Sequence, residues 1–116
     1  MKGGDGMLYI LNTLITPINF DHTDQLVVRF QKISLEEARE ILKKEEWKSV
    51  VGHEGTAKLL SELLGLEIPF NRETVYFKRG DKAIHFFLKQ RLPEGAVLSK
   101  EEIEKLEYWL VLSEVL

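Results

Sequence analysis

A histidine flanked by glycines, in the segment Gly52-His53-Glu54-Gly55-Thr56, is the feature of this sequence best suited to chemistry. The segment precedes an apolar run with helical spacing, so it is predicted to form the first turn of a helix. Unpaired backbone N–H groups and the helix dipole favour a phosphate there, and glycine lets a ligand approach the backbone closely. His53 would then stand beside the phosphate as a proton donor or acceptor. The pattern alone favours a simpler interpretation, a capping histidine in a glycine-rich turn.

A second candidate site is the segment of residues 90–95, where a predicted strand ends in an arginine followed by a carboxylate. Arg91 can grip a phosphate through two parallel N–H bonds, and Glu94 can orient or activate a hydroxyl group. Asn71 and Arg72 offer a further phosphate contact. Spacing alone favours a surface ion pair beside a turn for Arg91 and Glu94, and it leaves a simple polar loop pair open for Asn71 and Arg72.

The remaining titratable residues form no recognisable catalytic or metal-binding pattern. His22 falls in a predicted loop, and His85 falls in a predicted strand, where a structural role is expected. The chain has no cysteine, and it contains no zinc, calcium, P-loop or nucleophile-elbow motif. The sequence therefore predicts no metal and no other cofactor.

These residues must be positioned by a chain of 116 residues, which fits one domain with its own core. The glycine-rich residues 1–6 are predicted to be a disordered extension, and residues 7–116 to be the domain. We see no secretory h-region and no apolar run long enough to span a bilayer, so we expect a cytoplasmic protein with no membrane partner. The net charge of −3 argues against a duplex-DNA coat but permits a compact anion held by a few arginines.

Hydrophobic periodicity predicts an α/β domain with a mixed sheet of about five strands and about three helices. Strands are predicted at residues 8–11, 25–33, 74–78, 82–89 and 109–116. Two capping boxes, beginning at Ser34 and Ser99, predict the start of a helix over residues 35–46 and of a shorter third helix. The helix between them starts near Gly52 and ends at Leu64, with Gly65 as its stop. Residues 47–51 are predicted to be an extended link.

The tripeptide Arg79-Gly80-Asp81 is predicted to be the tight turn of a β-hairpin between residues 74–78 and 82–89. The same letters spell an integrin-binding motif, which we interpret as a coincidence in a cytoplasmic hairpin.

Four segments in this order resemble a family of small proteins from archaeal viruses, phages and bacteria that includes the viral anti-CRISPR ring nucleases. They are Leu8-Tyr9-Ile10-Leu11-Asn12, Gly52-His53-Glu54-Gly55-Thr56, Asn71-Arg72 and Gln90-Arg91-Leu92-Pro93-Glu94-Gly95. The resemblance covers the chain from Met7 onward. It implies a homodimer that binds cyclic tetra-adenylate, the second messenger of type III CRISPR defence, in a pocket at the dimer interface.

The resemblance also implies a metal-free reaction. A ribose 2′-hydroxyl attacks its own 3′-phosphate, which yields linear di-adenylate with a 2′,3′-cyclic phosphate and switches off the CRISPR effector nucleases. His53 occupies the position of the catalytic histidine that protonates the 5′-oxygen leaving group. Glu94 occupies the position of the catalytic carboxylate, which keeps the histidine protonated or helps the nucleophile. The ligand-binding residues implied in this way are Asn12, Gly55, Thr56, Arg72, Gln90 and Arg91.

The sequence departs from the family pattern at three places. Pro93 stands where an acidic residue is more usual, Gly55 stands where a serine is frequent, and the loop after Asn12 is apolar at Leu14 and Ile15, where some relatives have a serine. These departures bear on ligand contacts more than on His53. They leave open a protein that binds or sequesters a cyclic oligonucleotide without cutting it. A third alternative is a viral DNA-binding or interaction protein, which the acidic net charge counts against.

Overall fold

The computed structural model describes residues 6–89 and 98–116, except for the side chain of Lys100. Within these residues the chain forms a five-stranded mixed sheet and three helices. In chain order the elements are β1 (Leu8–Leu11), β2 (Val28–Ile33), α1 (Leu35–Lys44), β3 (Trp47–Val50), α2 (Glu54–Leu64), β4 (Lys82–Leu88), α3 (Lys100–Glu104) and β5 (Tyr108–Val115). The predicted α/β class and the mixed five-stranded sheet are confirmed.

The sheet brings the ends of its parallel strands together. Its order is β2-β5-β4-β1-β3, with β1 parallel to both β3 and β4 and with β5 antiparallel to β4 and β2. Because β1, β3 and β4 run in the same direction, their carboxyl ends meet at one edge of the sheet. Helix α2 follows β3 and therefore begins at this carboxyl edge.

The core lies on both faces of the sheet. On one face, Ile10 and Phe86 are fully buried against α1 and α2, together with Leu60 of α2. On the other face, a smaller cluster that includes Leu11 and Phe77 packs beneath the loops that precede β2 and β4. The helices thus cover one face, and two loops cover part of the other.

Both predicted capping boxes form. Ser34 Oγ accepts from the backbone N–H of Glu37 at 3.1 Å, and the Glu37 carboxylate accepts from the N–H of Ser34 at 3.0 Å. Ser99 and Glu102 make the same pair of contacts at the start of α3. The N–H of Ser99 is the largest influence on Glu102, and it holds the pKa of that carboxyl below its ordinary value.

The predicted hairpin between residues 74–78 and 82–89 is wrong. Within residues 74–78, only Phe77 makes a bridge, which pairs it with Ile18, and its N–H donates to the carbonyl of Pro17. Strand β4 pairs with β5 on one side and with β1 on the other. The fifth strand is instead β3, within the predicted link of residues 47–51, because parallel pairing with β1 buries Ser49 and Val50.

Asp81 links two segments of the chain at the opposite edge of the sheet, where the parallel strands β1 and β4 begin. Its side chain is 2% exposed and accepts from the N–H of Met7 at 2.9 Å and from the N–H of Lys78 at 3.0 Å. Gly80 turns the chain with a φ of 91°, in the left-handed region that favours glycine. A Cβ on Gly6 would lie 2.2 Å from Asp81 Oδ1, so the close approach of the chain there requires glycine. This turn is therefore part of the fold itself.

Candidate functional site

The candidate site lies at the carboxyl edge, where open α/β sheets commonly bind ligands. Asn12 follows the last residue of β1, and Gly52 and His53 follow β3. The side-chain oxygen of Asn12 accepts from the backbone N–H of Gly52 at 3.3 Å. Two segments that are far apart in the sequence thus meet at the residue before the histidine.

His53 is the N-cap of α2. Its backbone is extended, with φ −132° and ψ 118°, and its Nδ1 accepts from the N–H of Thr56 at 3.1 Å. An accepting Nδ1 carries no proton, so in the neutral ring the proton sits on Nε2. Among residues 6–89 and 98–116, Nε2 makes no hydrogen bond, and the residue is half-buried. The ring can therefore offer an N–H at the phosphate-favouring end of a helix.

Thr56 gives the histidine a second partner. Its hydroxyl oxygen lies 3.0 Å from His53 Nδ1 and can donate to that nitrogen or accept from it. When the ring carries two protons, Nδ1–H can donate to this hydroxyl in place of accepting from the backbone. The first turn of α2 therefore accommodates both the neutral and the doubly protonated ring.

Gly55 makes room for the imidazole. A Cβ at this position would stand 3.1 Å from His53 Cε1 and 3.5 Å from Nδ1. A larger residue would push the ring outward by a few tenths of an ångström unless the ring turned. The glycine thus lets the ring lie close to the first turn of the helix.

Arg72 lies next to the same turn. Its Cγ is 3.5 Å from where a Gly52 Cβ would stand, and its side chain is exposed. Asn71 fixes this segment beside β3, because its N–H donates to the carbonyl of Val51 at 2.9 Å and its amide donates to the carbonyl of Ser49 at 2.8 Å. The structure thus brings Arg72 next to the residue that precedes His53.

A surface ion pair borders this segment. Lys48 Nζ lies 2.8 Å from Glu73 Oε2, and the Asn71 amide also donates to Glu73. The hydrogen bond from Lys48 is the larger reason that the pKa of Glu73 is below its ordinary value, and the same bond raises the pKa of Lys48. Both side chains are about two-fifths exposed, at 40% and 42%, so the pair adds little stability.

Of the predicted ligand-binding residues, Gly55 and Thr56 contact His53, and Asn12 and Arg72 lie beside Gly52, the residue that precedes it. Gln90, Arg91 and Glu94 lie outside the described residues. The preceding strand β4 ends at Leu88, and it runs parallel to β1 toward the carboxyl edge.

The other two histidines lie away from this cluster. His22 is exposed in a loop. His85 is fully buried and hydrogen-bonded, in agreement with the predicted structural role. Its partners Thr13, Thr16 and Ser113 were not predicted from the sequence, although Ser113 stands between the apolar residues Val111 and Val115 on one face of β5 and was a usable signal.

No group of three or more His, Cys, Asp or Glu side chains is arranged to hold a metal within residues 6–89 and 98–116. None of the helices in the described part of the chain is long and apolar enough to cross a membrane.

Comparison with known proteins decides the family. Residues 8–110 match the family described as STIV B116-like. The chain belongs to this family. The fold agrees with B116 of Sulfolobus turreted icosahedral virus at a TM-score of 0.78 over 94% of this chain and 99% of that one. At 24% identity, this likeness shows the STIV B116-like fold alone.

Two relatives in sequence show where the STIV B116-like family occurs. The chain is 41% identical over 110 residues to uncharacterized protein 26 of Sulfolobus islandicus filamentous virus, covering 94% of this chain and 92% of that protein. It is 39% identical over 84 residues to uncharacterized protein YddF of Bacillus subtilis, covering 71% and 78%. These relatives support a small viral protein family that also has a bacterial member.

Proposed function

We propose that this STIV B116-like protein is a metal-independent ring nuclease that cleaves cyclic tetra-adenylate and so switches off CRISPR effector nucleases. The observation that carries the proposal is the placement of His53. It caps α2 at the carboxyl edge with Thr56 bonded to its ring and Gly55 against it, and Asn12 and Arg72 lie beside Gly52, the residue that precedes it. This position at the start of a helix, which favours a phosphate, supports the roles that the ring-nuclease resemblance implies for these residues.

The reaction needs three things from the protein. The 2′-oxygen, the phosphorus and the departing 5′-oxygen must be aligned, the charge on the phosphate must be stabilised, and the 5′-oxygen must receive a proton. The free N–H groups of the first turn of α2 supply the charge stabilisation, and Arg72 adds to it. His53 Nε2–H delivers the proton, and Thr56 holds Nδ1 while the ring is doubly protonated.

The atoms balance without water. The 2′-oxygen forms a bond to phosphorus as the bond to the 5′-oxygen breaks. The Glu94 carboxylate accepts the proton of the 2′-hydroxyl, and the 5′-oxygen takes a proton from His53 Nε2, so one proton enters the protein as another leaves it. Two such cleavages open the ring into two linear di-adenylates, each with a 2′,3′-cyclic phosphate.

An exposed aromatic patch supports the dimer that the proposal includes. Phe30, Phe87 and Trp109 lie on the sheet face opposite the helices and are 51%, 37% and 38% exposed. The rings of Phe87 and Trp109 stack with centroids 5.3 Å apart. Large exposed apolar patches on soluble proteins mark interaction sites, and a second copy would bring a second His53 to a ring that is itself symmetric.

The test is the product made by the wild-type protein from radiolabelled cyclic tetra-adenylate in the presence of a chelator. We expect linear di-adenylate with a 2′,3′-cyclic phosphate, identified by chromatography and mass. An intact ring after prolonged incubation with excess protein would overturn the proposed activity. Products that carry a 5′-phosphate and a free 3′-hydroxyl would overturn the 2′-hydroxyl mechanism, because that mechanism breaks the bond between phosphorus and the 5′-oxygen.

One observation favours a second candidate, a protein that binds the ring without cutting it. The capping contact needs an unprotonated Nδ1, and a general acid needs the doubly protonated ring. If the cap keeps the ring neutral when the ligand is bound, the same pocket sequesters the messenger. Stoichiometric tight binding with no product would select this function.

A further inference from the structure

A buried polar group ties the loop after β1 to the middle of the sheet. His85 on β4 is 0% exposed, and its ring contacts two other elements. Its Nδ1 lies 2.8 Å from the carbonyl oxygen of Thr13, and its Nε2 lies 2.7 Å from Ser113 Oγ on β5. The hydroxyl of Thr16 completes the group, at 3.4 Å from Ser113 Oγ and 3.5 Å from Nε2.

The hydrogen bonds of this group have one consistent direction. A carbonyl oxygen can only accept, so His85 Nδ1 must carry the proton that points to Thr13. Nε2 is then an acceptor in the neutral ring, Ser113 donates to it, and Thr16 donates to Ser113. Burial lowers the pKa of His85, which keeps the ring neutral near pH 7.

The group ends one residue from the candidate site. Thr13 directly follows Asn12, whose side chain accepts from the N–H of Gly52. Gly52 in turn precedes His53, the cap of α2. A chain of contacts therefore runs from the buried ring of His85 through the loop to the residue beside the catalytic candidate.

We propose that His85 is a positioning residue, whose Nδ1–H bond to the Thr13 carbonyl holds the loop after β1 so that Asn12 meets Gly52 beside His53. We call this bond the clamp. What the candidate site binds rests on the proposed function, whereas the clamp on the loop does not. The bond to Ser113 serves to fix the ring in the tautomer that can donate to Thr13.

Two substitutions at the same position separate clamping from simple packing. In His85→Asn, the amide nitrogen falls near the place of Nδ1 and can still donate to the Thr13 carbonyl. In His85→Gln, the amide falls near the place of Nε2 and can reach Ser113 instead. Both variants remove a buried ring, so a purely structural role predicts similar losses from both.

The first readout is amide hydrogen exchange at Gly52, normalised to the core amide of Ile84. We expect His85→Gln to speed Gly52 exchange at least about fivefold, the factor that corresponds to one typical net hydrogen bond, and His85→Asn to leave it near the wild-type rate. Equal Gly52 exchange in His85→Gln and wild type would overturn the proposal, as would equal acceleration in both variants.

The second readout uses the wild-type protein, so it decides the question even if the His85 variants do not fold. The proton on His85 is located by nitrogen-15 NMR of the wild-type ring. A proton on Nδ1 is required, and a neutral ring with its proton on Nε2 rules the clamp out.

The third readout is the dissociation constant for cyclic tetra-adenylate. We expect His85→Gln to weaken binding at least about fivefold relative to His85→Asn, for the same hydrogen-bond reason. If the wild type does not bind the ring at all, the proposed function fails, while the exchange and NMR results still decide the clamp. If the ring binds and both variants bind it equally, the positioning role fails alone.

Discussion

At the scale of single residues, the two roles of His53 require different protonation states of the same nitrogen, Nδ1. As the helix cap, Nδ1 must accept from the N–H of Thr56, and as a general acid the ring must carry a proton on Nδ1 as well. The Thr56 hydroxyl at 3.0 Å is the group that can take over as acceptor. The hydroxyl of Thr56 is therefore the group that allows the ring to change from helix cap to general acid.

Replacing that hydroxyl tests the balance. Thr56→Val keeps the backbone N–H and most of the side-chain volume, so we expect single-turnover cleavage at saturating ligand to slow about tenfold, a modest part of the contribution of a positioned general acid. Thr56→Ser keeps a hydroxyl and is expected to cleave at close to the wild-type rate. Equal cleavage rates in the valine and serine variants would show that the hydroxyl has no such role.

The residue scale is also where sequence-based prediction reached its limit for the site. The placement of His53 at a helix start followed from local spacing and was confirmed. Which nitrogen caps the helix, and that Asn12 meets Gly52, depend on two strands pairing side by side. No local pattern carries that information. Glu94 stays a prediction, since it lies outside the described residues.

At the scale of elements, the sequence predicted correctly those helix starts that depend on neighbouring residues alone. The starts of α1 and α3 were predicted because each capping box is complete within four residues. Strand β3 was predicted only as an extended link, because it has four residues and its pairing with β1 is not visible in the local sequence. Residues 74–78 were predicted to be a strand because their apolar residues alternate. Val75 and Phe77 do pack into the core, but the segment does not pair with a strand of the sheet.

Asp81 shows how one side chain can hold elements together. Both of its oxygens accept from backbone N–H groups, of Met7 and of Lys78. Asp81→Asn turns one oxygen into a donor that faces a donor, so we expect the free energy of unfolding to fall by about 1–3 kcal/mol. Chemical denaturation measures this change. Asp24→Asn, at an exposed loop position, is the control and should unfold like the wild type.

At the scale of the whole molecule, the exposed aromatic patch of Phe30, Phe87 and Trp109 predicts self-association. Trp109→Glu places a charge in the stacked pair of this patch, so we expect it to shift the protein from dimer to monomer in analytical ultracentrifugation. Tyr76→Glu is a matched control, because Tyr76 is 59% exposed and does not belong to the stacked pair. A wild-type protein that is monomeric at high concentration would contradict the dimer.

The pH dependence of folding is a second property of the whole chain. Burial depresses the pKa of His85 below its ordinary value of 6.5 in the folded state, so the unfolded chain binds this proton more readily. The contribution of the neutral ring to stability is complete above pH 6.5 and is lost as the pH falls below it. We expect the free energy of unfolding to decline below pH 6.5 with a slope of at most about 1.4 kcal/mol per pH unit from this group.

The control for this prediction is His85→Asn, which cannot titrate and should remove the decline between pH 6.5 and the acidic range. Glu73 and Glu102 have pKa values below 4.5 and contribute only at lower pH. A wild-type stability that is constant from pH 7 to pH 5 would contradict a neutral buried imidazole.

The most direct test of the central claim is the single-turnover cleavage rate of cyclic tetra-adenylate by His53→Asn, with His53→Ala for comparison. Asparagine is a good N-cap, so His53→Asn should keep the stability of α2, whereas alanine should lose about 1 kcal/mol of it. We expect both variants to bind the ring and to cleave it at least about 100-fold more slowly than the wild type, because the proton donor is gone. Cleavage by His53→Asn at the wild-type rate would show that the imidazole only caps the helix.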